Sequence, residues 1–196
     1  MFASLHPQAL VYQADLATAS ATKIVAAVID RFGRLDGLVN NAAAALPEPP
    51  MDQFDPGLAK QVFAVNVTAP VALIGASLPY LGTGASVVNI SSPNARFPAI
   101  SAPVYGASKA ALENLTMGIA KALGPRGIRV NAVAPGAVER DHAPRPPEVI
   151  RQFTDLTAIR RLVQAEEVAQ AVRFLLSDAA SAITGTVLDV SGGFKL

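Results

Sequence analysis

The chain has 196 residues, no cysteine, and 16 basic against 15 acidic side chains. A chain of this length buries about 70% of its unfolded surface and needs no disulfides, and without cysteine it cannot be a small disulfide scaffold. The net charge of +1 argues against a dedicated nucleic-acid binder and against a polybasic membrane anchor. We therefore expect one soluble domain over residues 1–196.

The N-terminal part predicts two strands with a helix between them. Leu10-Val11-Tyr12 has the composition of a short strand. Apolar residues between Ile24 and Phe32 recur at helical spacing, and Gly33 is a typical helix stop. Residues 37–40 predict the second strand.

Residues 61–95 carry no charge, so a membrane span has to be considered. Asn66, Pro70 and several glycines interrupt this stretch, and no run of about 18 apolar residues remains. We expect a buried helix over about 58–81, kinked at Pro70 because proline lacks an N–H, followed by a buried strand over 86–90. No signal sequence is recognisable at the N-terminus, so we expect a cytoplasmic protein.

The C-terminal half continues the alternation of helices and strands. It predicts helices over about 105–123 and 165–176 and strands over 128–133 and 186–190. Strands separated by helices form parallel sheets through right-handed crossovers. The sequence therefore predicts an α/β fold: a doubly wound parallel sheet covered by helices on both faces, in three layers α/β/α.

Several polar residues follow predicted strands. Asp15, Asn40 and Ser92 end three of them, and Pro135-Gly136 follows a fourth. Open parallel sheets bind ligands beyond the carboxyl ends of their strands. Taken singly, such residues more often make turns and caps, so each needs support from its neighbours.

Tyr105 and Lys109 provide that support. They are four residues apart in a predicted helix, so their side chains share one face. An ammonium group beside a phenol favours the phenolate and lowers a pKa that is otherwise near ~10. A tyrosine of this kind can exchange a proton near neutral pH. The alternative is a surface pair, but here a serine at a strand end, Ser92, precedes the tyrosine by 13 residues.

Taken in order, Asn40-Asn41-Ala42, Asn66, Ser92, Tyr105-Gly106-Ala107-Ser108-Lys109 and Pro135-Gly136 resemble the motifs of the short-chain dehydrogenase/reductase family. The resemblance covers nearly the whole chain. It implies a Rossmann-like fold and an enzyme that moves a hydride between NAD or NADP and a small carbonyl or secondary alcohol substrate.

The resemblance also implies roles for the matching residues. Tyr105 would be the general acid in reduction and the general base in oxidation, and Lys109 would lower its pKa and hold the nicotinamide ribose. Ser92 would donate a hydrogen bond to the substrate oxygen, with Ser91 as the alternative serine. Asn66 would support a water-linked proton path to the lysine, or satisfy backbone groups at the helix break.

The cofactor residues follow from the same resemblance. Asp15 and Leu16 would contact the adenine, and Asn40 and Ala42 would line the adenosine ribose. The nicotinamide end would be held by Tyr105, Lys109, Pro135, Gly136 and Val138. The sequence does not distinguish NAD from NADP, and it predicts no metal site.

Two departures from the family pattern affect these expectations. The glycine-rich phosphate loop of the family is not found, and Gly82-Thr83-Gly84 precedes a strand instead of following one. We therefore expect a fold truncated at its N-terminus: an incomplete sequence, a genuine short form, or a non-catalytic fragment or pseudoenzyme that acts through helix association. Arg140 occupies a position where the family often has threonine.

Two loops are expected over the substrate pocket, residues 93–102 and 138–156. They offer an apolar lining or an anion site, from Phe97, Pro98, Ile100 and Phe153 or from His142, Arg145 and Arg151. The helix over 105–123 has a face of small residues, which in this family builds dimer and tetramer contacts. We therefore expect a homodimer or homotetramer through Ala111, Asn114, Gly118 and Ala122.

Overall fold

The computed structural model describes residues 8–139 and 144–196. Its centre is a sheet of four parallel strands in the order β1-β2-β3-β4. The strands are β1 (Gly37–Asn40), β2 (Ser86–Ile90), β3 (Arg129–Pro135) and β4 (Val187–Val190). β2 and β3 are almost wholly buried, so the core of the protein is centred on them.

Six α-helices are described. They are α1 (Ala21–Phe32), α2 (Pro56–Phe63), α3 (Ala69–Ser77), α4 (Pro103–Leu123), α5 (Pro147–Thr154) and α6 (Ala165–Leu176). A π-helical turn over Ala64–Thr68 joins α2 to α3. Short 3-10 turns lie at Met51–Gln53, Pro93–Ala95, Gly124–Arg126 and Asp178–Ala180.

Alternate residues of β2 point to opposite faces of the sheet and into two separate apolar clusters. On one face Val87 and Val130 pack against residues of α3 and α4, among them Ile74 and Leu123. On the other face Val88 packs with Val133, Leu175 and residues of α6. Side chains of a strand alternate between faces, so the sheet is covered on both sides and the expected three-layer arrangement is confirmed.

The expected kink at Pro70 occurs one turn earlier than the proline itself. Pro70 occupies the first turn of α3, where its missing N–H is tolerated, and the preceding residues 64–68 widen into the π turn. A π turn inside a helix is uncommon and often marks a functional site. Here it contains the fully buried Asn66.

The prediction of a strand over Leu10-Val11-Tyr12 is wrong. These residues form no strand, and they are exposed by 38, 59 and 47%. Strand propensity reflects packing on a half-buried sheet more than a backbone preference. Within the described ranges β1 pairs only with β2, so the apolar triplet does not extend the sheet at the free edge of β1.

One helical stretch in the described part of the chain, Pro56–Ser77, is long and apolar enough by length and composition to cross a membrane. The core helix of a soluble protein meets the same test. In this fold α3 packs against α1, and α2 packs against α4. Asn66 at its middle is fully buried, and 33% of the apolar 18-residue window within this stretch is buried in the structure.

Candidate active site

The carboxyl ends of β2 and β3 open into one cavity of about 500 Å³. Ser92 follows β2, Pro135 ends β3, and Tyr105 enters from the first turn of α4. All three line the cavity, whose other wall residues are Ala45, Leu46, Pro47, Pro93, Asn94, Ala102, Gly136, Ala137, Arg145, Phe153 and Phe194. The structure thus brings together the serine and the tyrosine that the sequence singled out.

The backbone after Tyr105 passes very close to the segment that follows β2. A Cβ atom at Gly106 would lie 2.9 Å from the carbonyl oxygen of Asn94. Only glycine permits this approach. The start of α4 therefore packs directly against the turn that begins at Ser92.

Lys109 lies one helical turn after Tyr105 and is almost fully buried. Its Nζ donates a 2.7 Å hydrogen bond to the carbonyl oxygen of Ile90 and lies 5.7 Å from the centre of the Tyr105 ring. Burial lowers the pKa of this amine from 10.5 to about 8, because removal from water disfavours the charged form. The lysine therefore changes its charge close to physiological pH, beside the tyrosine.

Asn66 makes three hydrogen bonds from the π turn. Its Oδ1 accepts from the N–H of Ala44 at 2.7 Å, and its Nδ2 donates to the carbonyl oxygen of Ala44 at 2.9 Å. Nδ2 also donates to Ser108 Oγ at 2.9 Å. Asn66 thus fixes the loop after β1 to the helix that carries Tyr105 and Lys109.

The two serines after β2 have different environments. Ser91 is buried, and its hydroxyl donates a 2.7 Å hydrogen bond to Glu113 of α4. Ser92 is half-buried, accepts a hydrogen bond from the N–H of Asn94 at 3.2 Å and lines the cavity. Of the two serines, only Ser92 lines the cavity, whereas the Ser91 hydroxyl is used in a buried contact with α4.

The residues expected at the adenosine end are spread over two places. Asn40 is buried and its Nδ2 donates to Asn89 Oδ1 at 2.8 Å, so its amide joins neighbouring strands. Ala42 is exposed just after β1. Asp15 accepts a hydrogen bond from the N–H of Ala17, and Leu16 lines a small cavity between α1 and α3. In this structure the Asn40 side chain supports the sheet.

Of the residues expected beside the nicotinamide, Pro135 and Gly136 line the cavity. A Cβ atom at Gly136 would come within 3.0 Å of the Ser191 backbone, so the chain turns tightly against the end of β4. Val138 lies just beyond, bridged to Val163, and its carbonyl oxygen accepts a 2.6 Å hydrogen bond from Arg145.

Of the residues expected over the substrate pocket, some line the cavity and others do not. Phe153 and Arg145 line the cavity, whereas Ile100 is fully exposed and Phe97 contacts Phe194 edge-to-face at 6.2 Å. Arg151 is exposed on α5. Arg140 and His142 lie outside the described residues. Phe194 and residues Ala45, Leu46 and Pro47 also form walls of the cavity, which the sequence did not predict. The proline-rich segment after β1 indicated a loop at this position.

A metal centre is not indicated in the described ranges. No group of three or more histidine, cysteine, aspartate or glutamate side chains comes together in residues 8–139 or 144–196.

Comparison with known proteins gives a consistent result. A protein-family model described as enoyl-(acyl carrier protein) reductase matches residues 2–195. The chain is 40% identical over 179 residues to cis-4-hydroxycyclohexanecarboxylate dehydrogenase of Sinomonas cyclohexanicum, which covers 87% of this chain and 71% of the relative.

Solved structures agree with the sequence comparison. A short-chain dehydrogenase/reductase from Serratia marcescens is 35% identical with a TM-score of 0.89, over 95% of this chain and 77% of that one. A short-chain dehydrogenase from Burkholderia cenocepacia, solved in complex with NADP, is 34% identical with a TM-score of 0.86, over 92% and 74% of the two chains. On these grounds the chain belongs to the short-chain dehydrogenase/reductase family.

Proposed function

We propose that this oxidoreductase moves a hydride between NAD or NADP and a carbonyl or secondary alcohol, with Tyr105 as the proton donor or acceptor. The observation that carries the proposal is the meeting of Ser92 and Tyr105 at one cavity, with Lys109 Nζ 5.7 Å from the tyrosine ring centre. A general acid must reach the substrate oxygen whose proton it transfers. Tyr105 is half-buried in the cavity wall, which meets that requirement.

The roles of the neighbouring groups follow from their placement. In reduction Tyr105 gives its hydroxyl proton to the substrate oxygen, and in oxidation it takes that proton back. Ser92 donates a hydrogen bond to the same oxygen as negative charge develops there. The charged form of Lys109 favours the tyrosinate, and Asn66 holds the backbone that surrounds it.

The chain's donor set fits the nicotinamide end of a dinucleotide. The ammonium of Lys109 has three N–H donors, of which one is used by Ile90, so it can also bind ribose hydroxyls. Pro135, Gly136 and Val138 present backbone groups beside the cavity. When bound, the nicotinamide supplies or accepts the hydride.

The adenosine end has less support among the described residues. The Asn40 amide already donates to Asn89, the Asp15 carboxylate already accepts from the Ala17 N–H, and Ala42 has no polar side chain. We propose that the nicotinamide half provides most of the binding free energy in this chain. Asp15, Leu16, Asn40 and Ala42 then contribute weakly.

A binding titration tests this division. The purified chain is titrated with NADH, with NADPH and with reduced nicotinamide mononucleotide, following nicotinamide fluorescence. We expect the three dissociation constants to agree within about tenfold, which is about 1.4 kcal/mol. If a dinucleotide binds more than about 100-fold tighter than the mononucleotide, the adenosine and phosphate groups contribute substantially to binding, and the proposal is contradicted.

The shape of the cavity supports a class of substrate. Its walls are mostly apolar, and Arg145 is the charged residue among its lining. The Arg145 guanidinium is held 5.5 Å from the Phe153 ring centre and by the Val138 carbonyl oxygen. We propose a compact apolar alcohol or ketone that carries a carboxylate, and the name of the Sinomonas relative describes a substrate of this kind.

We also propose that the chain forms a homodimer or homotetramer through α4. Asn114, Met117, Gly118 and Ala122 form an exposed stripe on this helix, and a Cβ atom at Gly118 would meet nothing within the chain. Sedimentation velocity at micromolar concentration tests this assembly. A monomeric wild-type chain would contradict it, and Gly118→Met is expected to shift an oligomer toward monomer.

A further inference from the structure

The helix that carries Tyr105 begins without a capping side chain of its own. Its first residue, Pro103, has no N–H, and the residue before it, Ala102, has no side-chain acceptor. The first N–H groups of any helix lack partners inside the helix. In α4 these are the N–H groups of Val104 and Tyr105, since the N–H of Gly106 already donates to Ala102.

Glu48, from the loop after β1, accepts both of these hydrogen bonds. Its Oε2 accepts from the N–H of Val104 at 2.9 Å, and its Oε1 accepts from the N–H of Tyr105 at 2.8 Å. A bidentate carboxylate at a helix N-terminus is favoured both by hydrogen bonding and by the helix dipole. The cap of α4 thus comes from 55 residues earlier in the chain than Pro103.

The backbone of Tyr105 is held from its other side as well. Its carbonyl oxygen accepts a 2.7 Å hydrogen bond from Ser108 Oγ, which in turn accepts from Asn66 Nδ2. Asn66 is hydrogen-bonded to both backbone groups of Ala44. The loop after β1 therefore reaches Tyr105 twice, at its carbonyl through Ala44 and at its N–H through Glu48.

The residues between these two anchors form one wall of the cavity. Ala45, Leu46 and Pro47 line it, between Ala44 and Glu48. Pro49 and Pro50 follow directly and restrict the backbone after Glu48. Because the loop is fixed to α4 at both anchors, the cavity wall and the Tyr105 backbone form one connected unit.

We infer that Glu48 is a positioning residue for Tyr105, which sets where the phenol lies in the cavity. The inference depends on the proposed function only for the role of Tyr105 in proton transfer. Glutamate has the length and the two oxygens that this contact uses. Glutamine of the same length offers one acceptor oxygen, aspartate is one methylene shorter, and alanine offers no acceptor.

The first test observes Tyr105 without requiring turnover. The chain has no tryptophan and three tyrosines, so the Tyr12→Phe/Tyr80→Phe protein reports on Tyr105 alone by near-UV circular dichroism. In that background we expect Glu48→Gln to reduce the tyrosine signal at least twofold and Glu48→Ala to remove most of it. Far-UV circular dichroism shows whether each variant is folded. If Glu48→Ala does not fold, Glu48→Gln alone provides the test.

Glu167→Gln is the matched control. Glu167 is also a glutamate at a helix N-terminus, where it accepts from the Gln164 N–H at 2.8 Å, but it caps α6 on the opposite face of the sheet. We expect this variant to lose stability while its Tyr105 signal stays unchanged. An equal loss of signal in both variants would show a general loosening and overturn the positioning role.

The second test measures the reaction. In single-turnover hydride transfer with a ketone substrate and NADPH or NADH, Glu48→Gln and Glu48→Ala are expected to slow the step by about 10- to 100-fold, the range for a displaced catalytic group. The nucleotide dissociation constant should stay within about twofold, and Glu48→Asp should recover part of the rate. An unchanged rate together with an unchanged tyrosine signal would overturn the inference.

The two proposals fail differently. Turnover that survives Tyr105→Phe would contradict the proposed function, while the circular dichroism result would still decide whether Glu48 holds Tyr105 in place. A lowered melting temperature in the Glu48 variants, with signal and rate intact, would reduce Glu48 to a helix cap and overturn its positioning role.

Discussion

β1 and β2 have similar sequences but different surroundings. Val39 in β1 is 39% exposed, whereas Val88, its parallel partner in β2, is fully buried between β1 and β3. The groups with proposed chemical roles, Ser92 and Lys109, lie beside β2, and the groups expected at the adenosine end follow β1 or lie before it. The well-packed half of the molecule therefore carries the groups proposed for proton transfer, and the half with exposed strand residues carries the predicted contacts to the distal nucleotide.

The largest expected effect tests the packed half directly. Tyr105→Phe removes the hydroxyl to which we assign the proton transfer, so kcat should fall by about 10²- to 10⁴-fold, the usual contribution of general acid–base catalysis. The nucleotide dissociation constant should remain within about twofold. Steady-state kinetics beside fluorescence titration separates the two quantities, and Tyr80→Phe, at an exposed tyrosine, provides the control.

The contrast between the strands can be measured as stability. Val88→Ala leaves a cavity among buried side chains, and we expect it to lower the free energy of unfolding by about 2–3 kcal/mol. Val39→Ala should cost less than about 1 kcal/mol, because part of that side chain already contacts water. Urea denaturation of both variants gives the two values. Equal losses would mean that β1 is covered in solution, for instance in an oligomer.

The pH dependence of Lys109 sharpens the comparison further. Its pKa is lowered to about 8 by burial, so the charged form prevails below pH 8 and is lost as the pH rises through that value. Nucleotide affinity should then fall by about tenfold between pH 7 and 9 if the ammonium binds the ribose. Titrations across this range test it, and Lys109→Arg, which stays charged, should flatten the dependence.

The lowered pKa of Lys109 affects folding stability in the opposite direction to nucleotide affinity: stability increases as the pH rises. Because the folded-state pKa of Lys109 lies below the unfolded value, the unfolded chain binds more protons between about pH 8 and 10.5. The contribution of Lys109 to the free energy of unfolding therefore rises with pH over this window. The difference in unfolding free energy between wild type and Lys109→Met, followed by urea denaturation, isolates this contribution. A difference that does not vary from pH 8 to 10 would contradict the shift.

The smallest expected effect concerns substrate choice. If Arg145 recognises a carboxylate, kcat/KM for cis-4-hydroxycyclohexanecarboxylate should exceed that for its methyl ester by about fivefold to tenfold, since a charged hydrogen bond in a partly open site retains only part of its strength. Arg145→Gln should remove most of this preference. Arg151→Gln, at an exposed arginine of α5, should leave it intact.

The sequence predicted those parts of the molecule that depend on local pattern. The helix of Tyr105 and Lys109, the buried strands β2 and β3, and the position of Ser92 at a strand end all follow from periodicity and spacing. Family resemblance supplied the order of the motifs, and the comparisons confirmed the family. These features are determined within short stretches, where side-chain spacing decides which face is buried.

Other features depend on residues distant in the sequence and could not be predicted from it. Leu10-Val11-Tyr12 has the composition of a strand, but it pairs with no strand in the described residues. Asn40 turns inward because Asn89 lies opposite on β2. Glu48 has no local pattern that marks it as a cap for a helix beginning at Pro103. Each of these outcomes is decided by tertiary contacts, which a single sequence does not display.

The π turn over Ala64–Thr68 has a consequence for how this gene can change. A π turn holds one residue more than the α-helical path it replaces, and each residue turns a helix by about 100°. Deleting a single codon here would restore a regular helix and swing Asn66 away from Ala44 and Ser108. The contacts of Asn66 with Ala44 and Ser108 thus depend on the number of residues in this turn as well as on the asparagine side chain.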